Sequence, residues 1–427
     1  MGNALAKNLR RIGHLDLAGG GQVFVADGYA YVGHMKPPHG TTIVDVRDPK
    51  TPKVTAEIRL DDARSHSHKV RVVGDIMITN VEQNERHAVR RAARLEETAA
   101  ALAAKFARPA TDAELGAELN LKPEQLNLTR GFLARPYSDG GFRVWDVANK
   151  SKPKPLATVR THGFGVHRFD MDERYAYIST EMEGFLGNIL VVYDLKDPTR
   201  PSEVSRWWMP GQHVAGGETP TWSGYKNRLH HTLRCGNELW AAVWYAGIRV
   251  IDVSDIAKPR TIGAYDYHPP FPEPTHTVLK VPFPVAGRDI AVAADEEHEH
   301  TPGQLHAGLW VFDVAKRDAM QPVGMFHLSE RDSPFAGHGR FGMHQFQERA
   351  DGTRLYCAWF AGGLRVIDIA DPTLPRETGY FIPEPIGSHP VPQTNDVAVD
   401  ARGLVYIIDR NVGFDILEPW QKVEKRA

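Results

Sequence analysis

Short runs of apolar residues ending in aspartate recur along the chain: Thr42-Ile-Val-Asp-Val46, Phe142-Arg-Val-Trp-Asp-Val147, Leu190-Val-Val-Tyr-Asp-Leu195, Ile248-Arg-Val-Ile-Asp-Val253, Leu309-Trp-Val-Phe-Asp-Val314 and Leu364-Arg-Val-Ile-Asp-Ile369, with a shorter copy at Val412-Gly-Phe-Asp-Ile416. Each run has strand character, is preceded by a turn and another apolar strand, and leads into a proline-bearing turn such as Asp48-Pro49 or Asp371-Pro372. Self-similarity at tens of residues, with four strands per copy, predicts an all-β, seven-bladed β-propeller and not a sandwich.

The ends of the chain fit a closed ring. The last copy lacks a fourth strand, and Arg11-Ile-Gly-His-Leu-Asp16 matches the fourth-strand segment Thr261-Ile-Gly-Ala-Tyr-Asp266. The N-terminal strand is therefore expected to complete the final blade and remove its free edge. The chain reads as a single domain over 1–427 with one interruption, residues 81–136 in the second blade. There, 85–107 is rich in Ala, Arg, Leu and Glu, with Leu95, Ala99, Leu102 and Phe106 on one helical face, and Thr111-Asp-Ala-Glu114 matches a capping box. A helical hairpin is expected, serving as a lid or as the arm of a homodimer.

Ile248-Arg-Val-Ile-Asp-Val253 and Leu364-Arg-Val-Ile-Asp-Ile369 resemble the strand consensus of the LVIVD-repeat family of β-propellers. The resemblance implies the propeller fold and carries no activity with it.

Composition narrows the partners. Charged residues are 24% of the chain and the formal net charge is −2, so no broad field favours nucleic acid or an anionic membrane. No window approaches the apolar length of a membrane helix, and the two cysteines, Cys235 and Cys357, sit in strand-like segments as buried thiols; a cytoplasmic protein is expected.

Histidine placement carries the chemistry. His68, His167, His231, His276 and His344 occupy one position at the start of the innermost strand in five of the seven copies, where the other two offer Gly21 and Asn395. Five in register exceeds chance placement of 20 histidines in 427 residues. Imidazoles converging on a propeller axis would bind a divalent metal, with Fe(II) favoured and Mn(II), Zn(II) or Cu open. The competing reading is a structural histidine inherited by duplication. His230 and His231 cannot both face the ring, and the repeat register favours His231. The run 295–300 with His298 and His300 offers a second metal patch, or a solvated acidic loop.

Long loops at 207–229, 267–275 and 329–343 and the helical insertion open on the histidine side, making that face the functional one. His66, His230, Glu181 and Glu183 are its candidate acid–base groups, and Trp207, Trp208, Trp222, Tyr225, Trp244, Tyr245, Trp359 and Phe360 its candidate pocket walls. The leading expectation is a non-haem iron oxygenase or oxidase acting on a small aromatic or apolar substrate. A metal-dependent lyase or hydrolase, and a non-catalytic scaffold binding a protein partner, are the alternatives. An iron-bearing propeller axis resembles the architecture of carotenoid-cleaving oxygenases, although none of their motifs is present here.

Overall fold

Every repeat folds as a four-stranded antiparallel sheet, and seven such sheets surround one axis in a computed structural model that describes residues 4–134, 136–298 and 303–420. Blade 1 spans 20–59, blade 2 65–160, blade 3 162–207, blade 4 231–265, blade 5 275–326, blade 6 345–382 and blade 7 394–419. Seven separate apolar cores lie between adjacent blades, one per junction. This arrangement explains why the repeated strand is apolar on both faces. In Ile248–Asp252, Ile248 and Val250 enter the core shared with blade 5 while Ile251 enters the core shared with blade 3.

The repeated aspartate closes the turn that follows. Its Oδ1 accepts the N–H two residues on in six blades, from Asp45 to Arg47 (3.0 Å), Asp146 to Ala148 (2.9 Å), Asp194 to Lys196 (2.7 Å), Asp252 to Ser254 (2.9 Å), Asp313 to Ala315 (3.1 Å) and Asp368 to Ala370 (2.9 Å). Asp415 in blade 7 is not equivalent. It bonds the N-terminal strand instead, accepting from His14 Nδ1 at 2.6 Å and pairing with Arg11 Nε at 2.8 Å.

Ring closure follows the expected path. Leu9–Ala18 pairs antiparallel with Val412–Pro419 as the fourth strand of blade 7, and Leu5–Lys7 adds a fifth strand to blade 6. Outer strands repeat a glycine for a steric reason: a Cβ at Gly13, Gly263 or Gly324 would lie 2.0–2.2 Å from a backbone carbonyl oxygen of the next blade's turn.

The insertion forms four helices in place of the expected pair: α1 (Arg86–Ala92), α2 (Leu95–Phe106), α3 (Asp112–Glu118) and α4 (Pro123–Leu133). The Thr111–Glu114 capping box is present at the start of α3. Leu95, Ala99 and Leu102 pack against Leu115, Leu119 and Leu126, so most of the apolar stripe lies in the insertion's own small core and is not left facing outward. Phe106, at its end, stays partly exposed. Both cysteines are free thiols, Cys357 fully buried.

Trp240, which bridges two blades and is 0% exposed, sets the scale of one inter-blade contact. Trp240→Ala should cost about 3–5 kcal/mol in urea unfolding. Trp420→Ala, at a side chain 75% exposed, should change stability by less than about 0.5 kcal/mol.

Candidate metal centre

The innermost strands place one residue per blade at a common height near the mouth on the long-loop side, and these close a ring. His68 and His167 have ring centroids 5.2 Å apart, His167 and His230 4.8 Å, His230 and His276 4.0 Å, and His276 and His344 4.4 Å. His344 Nδ1 donates to the Asn395 carbonyl, and Asn395 Nδ2 donates to the Gly21 carbonyl at 2.7 Å. The last gap is steric: a Cβ on Gly21 would stand 2.6 Å from both Cβ and O of His68, so only glycine fits beside that histidine.

One residue further along each strand lies a second layer. Arg168, Gln345, His231 and Gln22 all reach Glu348, at 2.5, 3.1, 3.5 and 3.5 Å, and Arg71 binds the same carboxylate at 2.5 Å. Burial opposes ionisation of Glu348, but Arg71 and Arg168 outweigh it and hold its pKa well below the ordinary carboxylate value. This buried ion network stands beneath the histidine ring.

Blade 4 departs from the expected register by one residue. His230 N donates to Ala242 O as His344 N donates to Ala358 O, while His231 pairs with Ala242 as Gln345 pairs with Ala358. His231 is thus equivalent to Gln345 and belongs to the second layer with Glu348. His230 takes the ring position. The repeated motif could not show this, because two adjacent histidines satisfy either alignment.

Two trios of potential ligands border the ring, His66–His68–Glu82 and His276–Glu296–His344, and within each the candidate atoms lie within 4.8 Å of one another. Their hydrogen bonding differs. Asn80 is oriented by accepting from Lys69 N at 2.8 Å and donating to Val166 O at 2.9 Å, so its amide also donates to His68 Nδ1 at 3.1 Å. The His68 proton therefore sits on Nε2, directed to Glu82 Oε2 at 3.9 Å. Glu82 also meets His66 Nε2 at 3.0 Å and His167 Nδ1 at 3.1 Å and is paired with Arg86. Arg86 and the His68 Nε2–H thus face Glu82 as donors, while His66 Nδ1 also meets the Met35 carbonyl at 3.2 Å.

In the second trio both imidazoles turn their protons away from the carboxylate. His344 Nδ1 faces a carbonyl and must donate, leaving a lone pair on Nε2, 3.9 Å from Glu296 Oε1. His276 Nδ1 donates to Thr277 Oγ1 at 2.9 Å because that hydroxyl passes its own proton to Gln345 Oε1, and His276 Nε2 then presents a lone pair 3.9 Å from Glu296 Oε2. Three acceptors converge, with Arg340 3.0 Å from Glu296 and His298 at 3.5 Å beside them. Next to the trio, the buried Asn395 Oδ1 has no donor among the described residues.

The cavity above the ring has a volume of about 560 Å³. Lys36, Lys69, Arg86, Arg91, Arg340 and Arg410 line it against Glu82, Glu85 and Glu296. Its wall is polar and cationic, not aromatic. Of the eight expected aromatics Trp244 lines it; Phe360 lies behind, its ring 4.9 Å from His344. Trp359 is in the core between blades 5 and 6, and Trp207 is buried between blades 3 and 4, donating to Thr261 at 3.0 Å. Trp208 donates to Glu218, Trp222 packs on the blade 3–4 core, Tyr225 is exposed under Arg90, and Tyr245 meets His268 edge-on. Their loops fold outward, and their side chains serve packing there.

His66 joins the ring region, stacked on His68 at 4.3 Å. Glu181 instead pairs with Arg90 of α1 and accepts from Phe164 N at 2.9 Å, and Glu183 is exposed. His300 lies outside the described residues. Glu82 escaped sequence reasoning although it is an acidic residue within the apolar strand Ile76–Gln83, and Glu296 was seen only as part of an acidic run. Acidic residues at or just past the end of the second strand in blades 2, 3 and 5 were the available signal.

Burial pushes His68, His167, His230, His276 and His344 well below the usual imidazole value. Glu82 is held down at about 2, burial being outweighed by Arg86 and the His66 hydrogen bond, and Glu296 is also depressed. Neutral imidazoles beside ionised carboxylates are the protonation states a metal requires. Since these histidines titrate lower when folded than the unfolded value of about 6.5, the unfolded chain takes up protons first as pH falls. Their contribution, intact above about pH 6.5, is lost at up to about 1.4 kcal/mol per imidazole per pH unit below it. Metal-free protein should therefore show a melting temperature that drops from pH 7 to pH 5. A flat profile would contradict the buried neutral ring.

The LVIVD repeat profile matches residues 235–267 and 351–381, in blades 4 and 6. No curated protein matches the chain. Among solved structures, a chain of the mitotic checkpoint complex aligns with TM-score 0.54 at 9% identity, covering 96% of this chain and 94% of that one. The structure of U3-55K aligns at 0.54 and 8%, covering 95% and 98%, and the RRP9 WD40 repeats at 0.54 and 8%, covering 96% and 97%. At such identities the likeness is one of fold. The chain is a seven-bladed β-propeller that carries LVIVD repeats.

Proposed function

We propose that this protein is a metal-dependent enzyme whose divalent ion is held by His276, Glu296 and His344. The observation that carries the reading is the convergence of two imidazole lone pairs and one carboxylate, all buried, with both Nδ1 protons fixed elsewhere. Like-signed acceptors this close are unfavourable unless a cation lies between them. Ligands at about 2.1 Å from one ion stand about 3.0–3.4 Å apart, so the imidazoles, each 3.9 Å from a different oxygen of Glu296 and within 4.8 Å of one another, would close in around the ion. The chain Thr277–Gln345–Glu348 behind His276 and the Asn395 carbonyl behind His344 are the outer partners that orient such ligands.

Two histidines and one carboxylate suit Fe(II) with open positions, which favours an oxygenase or oxidase; bound there, the ion would supply dioxygen activation. The same ligand set serves Zn(II) in hydrolases, which keeps hydrolysis or elimination as the second reading. The protein's own contribution would be to hold the site dry, to orient the imidazoles, and to move a proton through His230, whose Nε2 is 3.0 Å from His167 Nε2. Among the described residues no helix is long and apolar enough to cross a membrane, and a cytoplasmic enzyme acting on a small molecule is proposed with this reading.

Elemental analysis of protein purified without added metal should find about one ion per chain. Iron would support the oxygenase and zinc or manganese the hydrolase, whereas absence of any metal even after loading would leave a scaffold. His276→Ala and His344→Ala should each lower occupancy at least tenfold. His231→Ala and His68→Ala should retain it, and loss of metal in those two with retention in the first pair would refute the assignment.

A further inference from the structure

The cavity over the ring carries six cationic side chains against three carboxylates, and two of those carboxylates are already engaged, Glu82 by Arg86 and Glu296 by Arg340. A cation in the His276–Glu296–His344 trio would take Glu296 from Arg340 and raise the positive excess further. Arg410 makes no ion pair among the described residues, and it shares the Phe360 ring with Arg340 at 5.9 and 5.4 Å. Burial, then the charge of Arg340, lower the Arg410 pKa to about 10, with Glu296 and Glu85 offsetting only part of the shift.

The opposite wall repeats the pattern. On α1, Arg91 lines the cavity with a buried Nε that has no acceptor among the described residues. Trp244 lines it too, 3% exposed, with an indole N–H that also lacks an acceptor and a positive φ of 43° that holds the ring there. Arg228 lies 4.0 Å over the Trp244 ring, closing that side with another cation. Buried donors without acceptors are costly, so what fills the cavity supplies acceptors.

We propose that the substrate of this centre is a small organic anion whose carboxylate or phosphate is gripped by Arg410 and Arg91, with the Trp244 N–H as a neutral donor. The inference rests on the metal-centre reading for what the site does, and it replaces the apolar substrate expected from sequence. A planar guanidinium matches either oxyanion by paired hydrogen bonds. The volume of about 560 Å³ suits a molecule of metabolite size. The insertion then acts as the wall that brings Arg86 and Arg91 over the mouth.

The test titrates metal-loaded protein with inorganic phosphate, succinate and the neutral succinamide by calorimetry, with metal content measured on the same samples. One of the anions should bind at one per chain and succinamide at least 100-fold more weakly. Tighter succinate assigns a carboxylate, and tighter phosphate a phosphate. Arg410→Gln should weaken that anion tenfold or more at unchanged metal content, Arg410→Lys should weaken it less, and Arg91→Gln provides the same comparison on the other wall. Equal affinity for succinamide, wild-type affinity in both glutamine variants, or binding of neither anion would overturn the proposal. Protein that holds no metal yet loses anion binding in Arg410→Gln would sink the metal reading alone and leave the anion site standing.

Discussion

Water exclusion along the axis is the constraint on which the rest of this structure depends. Seven sheets meeting there bring polar residues into contact with one another and not with solvent, and each must find its partner across the ring. The solution is two layers with opposite chemistry. Below, fixed charges cancel around Glu348, which two arginines keep ionised. Above, neutral imidazoles pack against one another at tilted angles and settle their protons among themselves and nearby carbonyls. A charged layer directly beneath lowers the imidazole pKa values further, since Lys69 and Arg168 are among the cations disfavouring protonation.

The blade repeat supplies the positions and the irregularities supply the function. Inter-blade cores and aspartate-closed turns are nearly identical around the ring, so they hold the inner strands at one height without distinguishing one from another. What breaks the symmetry is the insertion between Gln83 and Gly141. Its first helix begins three residues beyond Gln83, so Arg86 and Arg91 reach the mouth while the rest of the insertion packs on itself.

Much of the fold was legible because the repeat is periodic. Apolar-to-aspartate runs, the Arg11–Asp16 match to Thr261–Asp266 and the Thr111 capping box all depend on local spacing, and each has its structural counterpart. Convergence of the histidines was legible for the same reason. The finer register was not, since His230 and His231 differ only in which layer they enter, and a period-two strand inverts that with a shift of one. The pocket wall was also hidden. Aromatic residues such as Trp207 and Trp222 pack into inter-blade cores, while Arg410 and Arg91 come from segments 319 residues apart that no linear pattern connects.

The two trios show why ligand composition by itself does not locate an ion. Each contains two histidines and one glutamate, each is buried, and each glutamate pairs with an arginine. They differ in the direction of a few protons. Asn80, locked by Lys69 N and Val166 O, places the His68 proton toward Glu82, so one imidazole of that trio already presents a proton to its carboxylate. In blades 5 and 6 the Asn395 carbonyl and the Thr277 hydroxyl draw the protons away, and the imidazole edges facing Glu296 are left with lone pairs. A carboxylate facing two lone pairs in a medium of low dielectric leans on its cationic partner, here Arg340 at 3.0 Å, and this second trio is the one proposed to hold the ion.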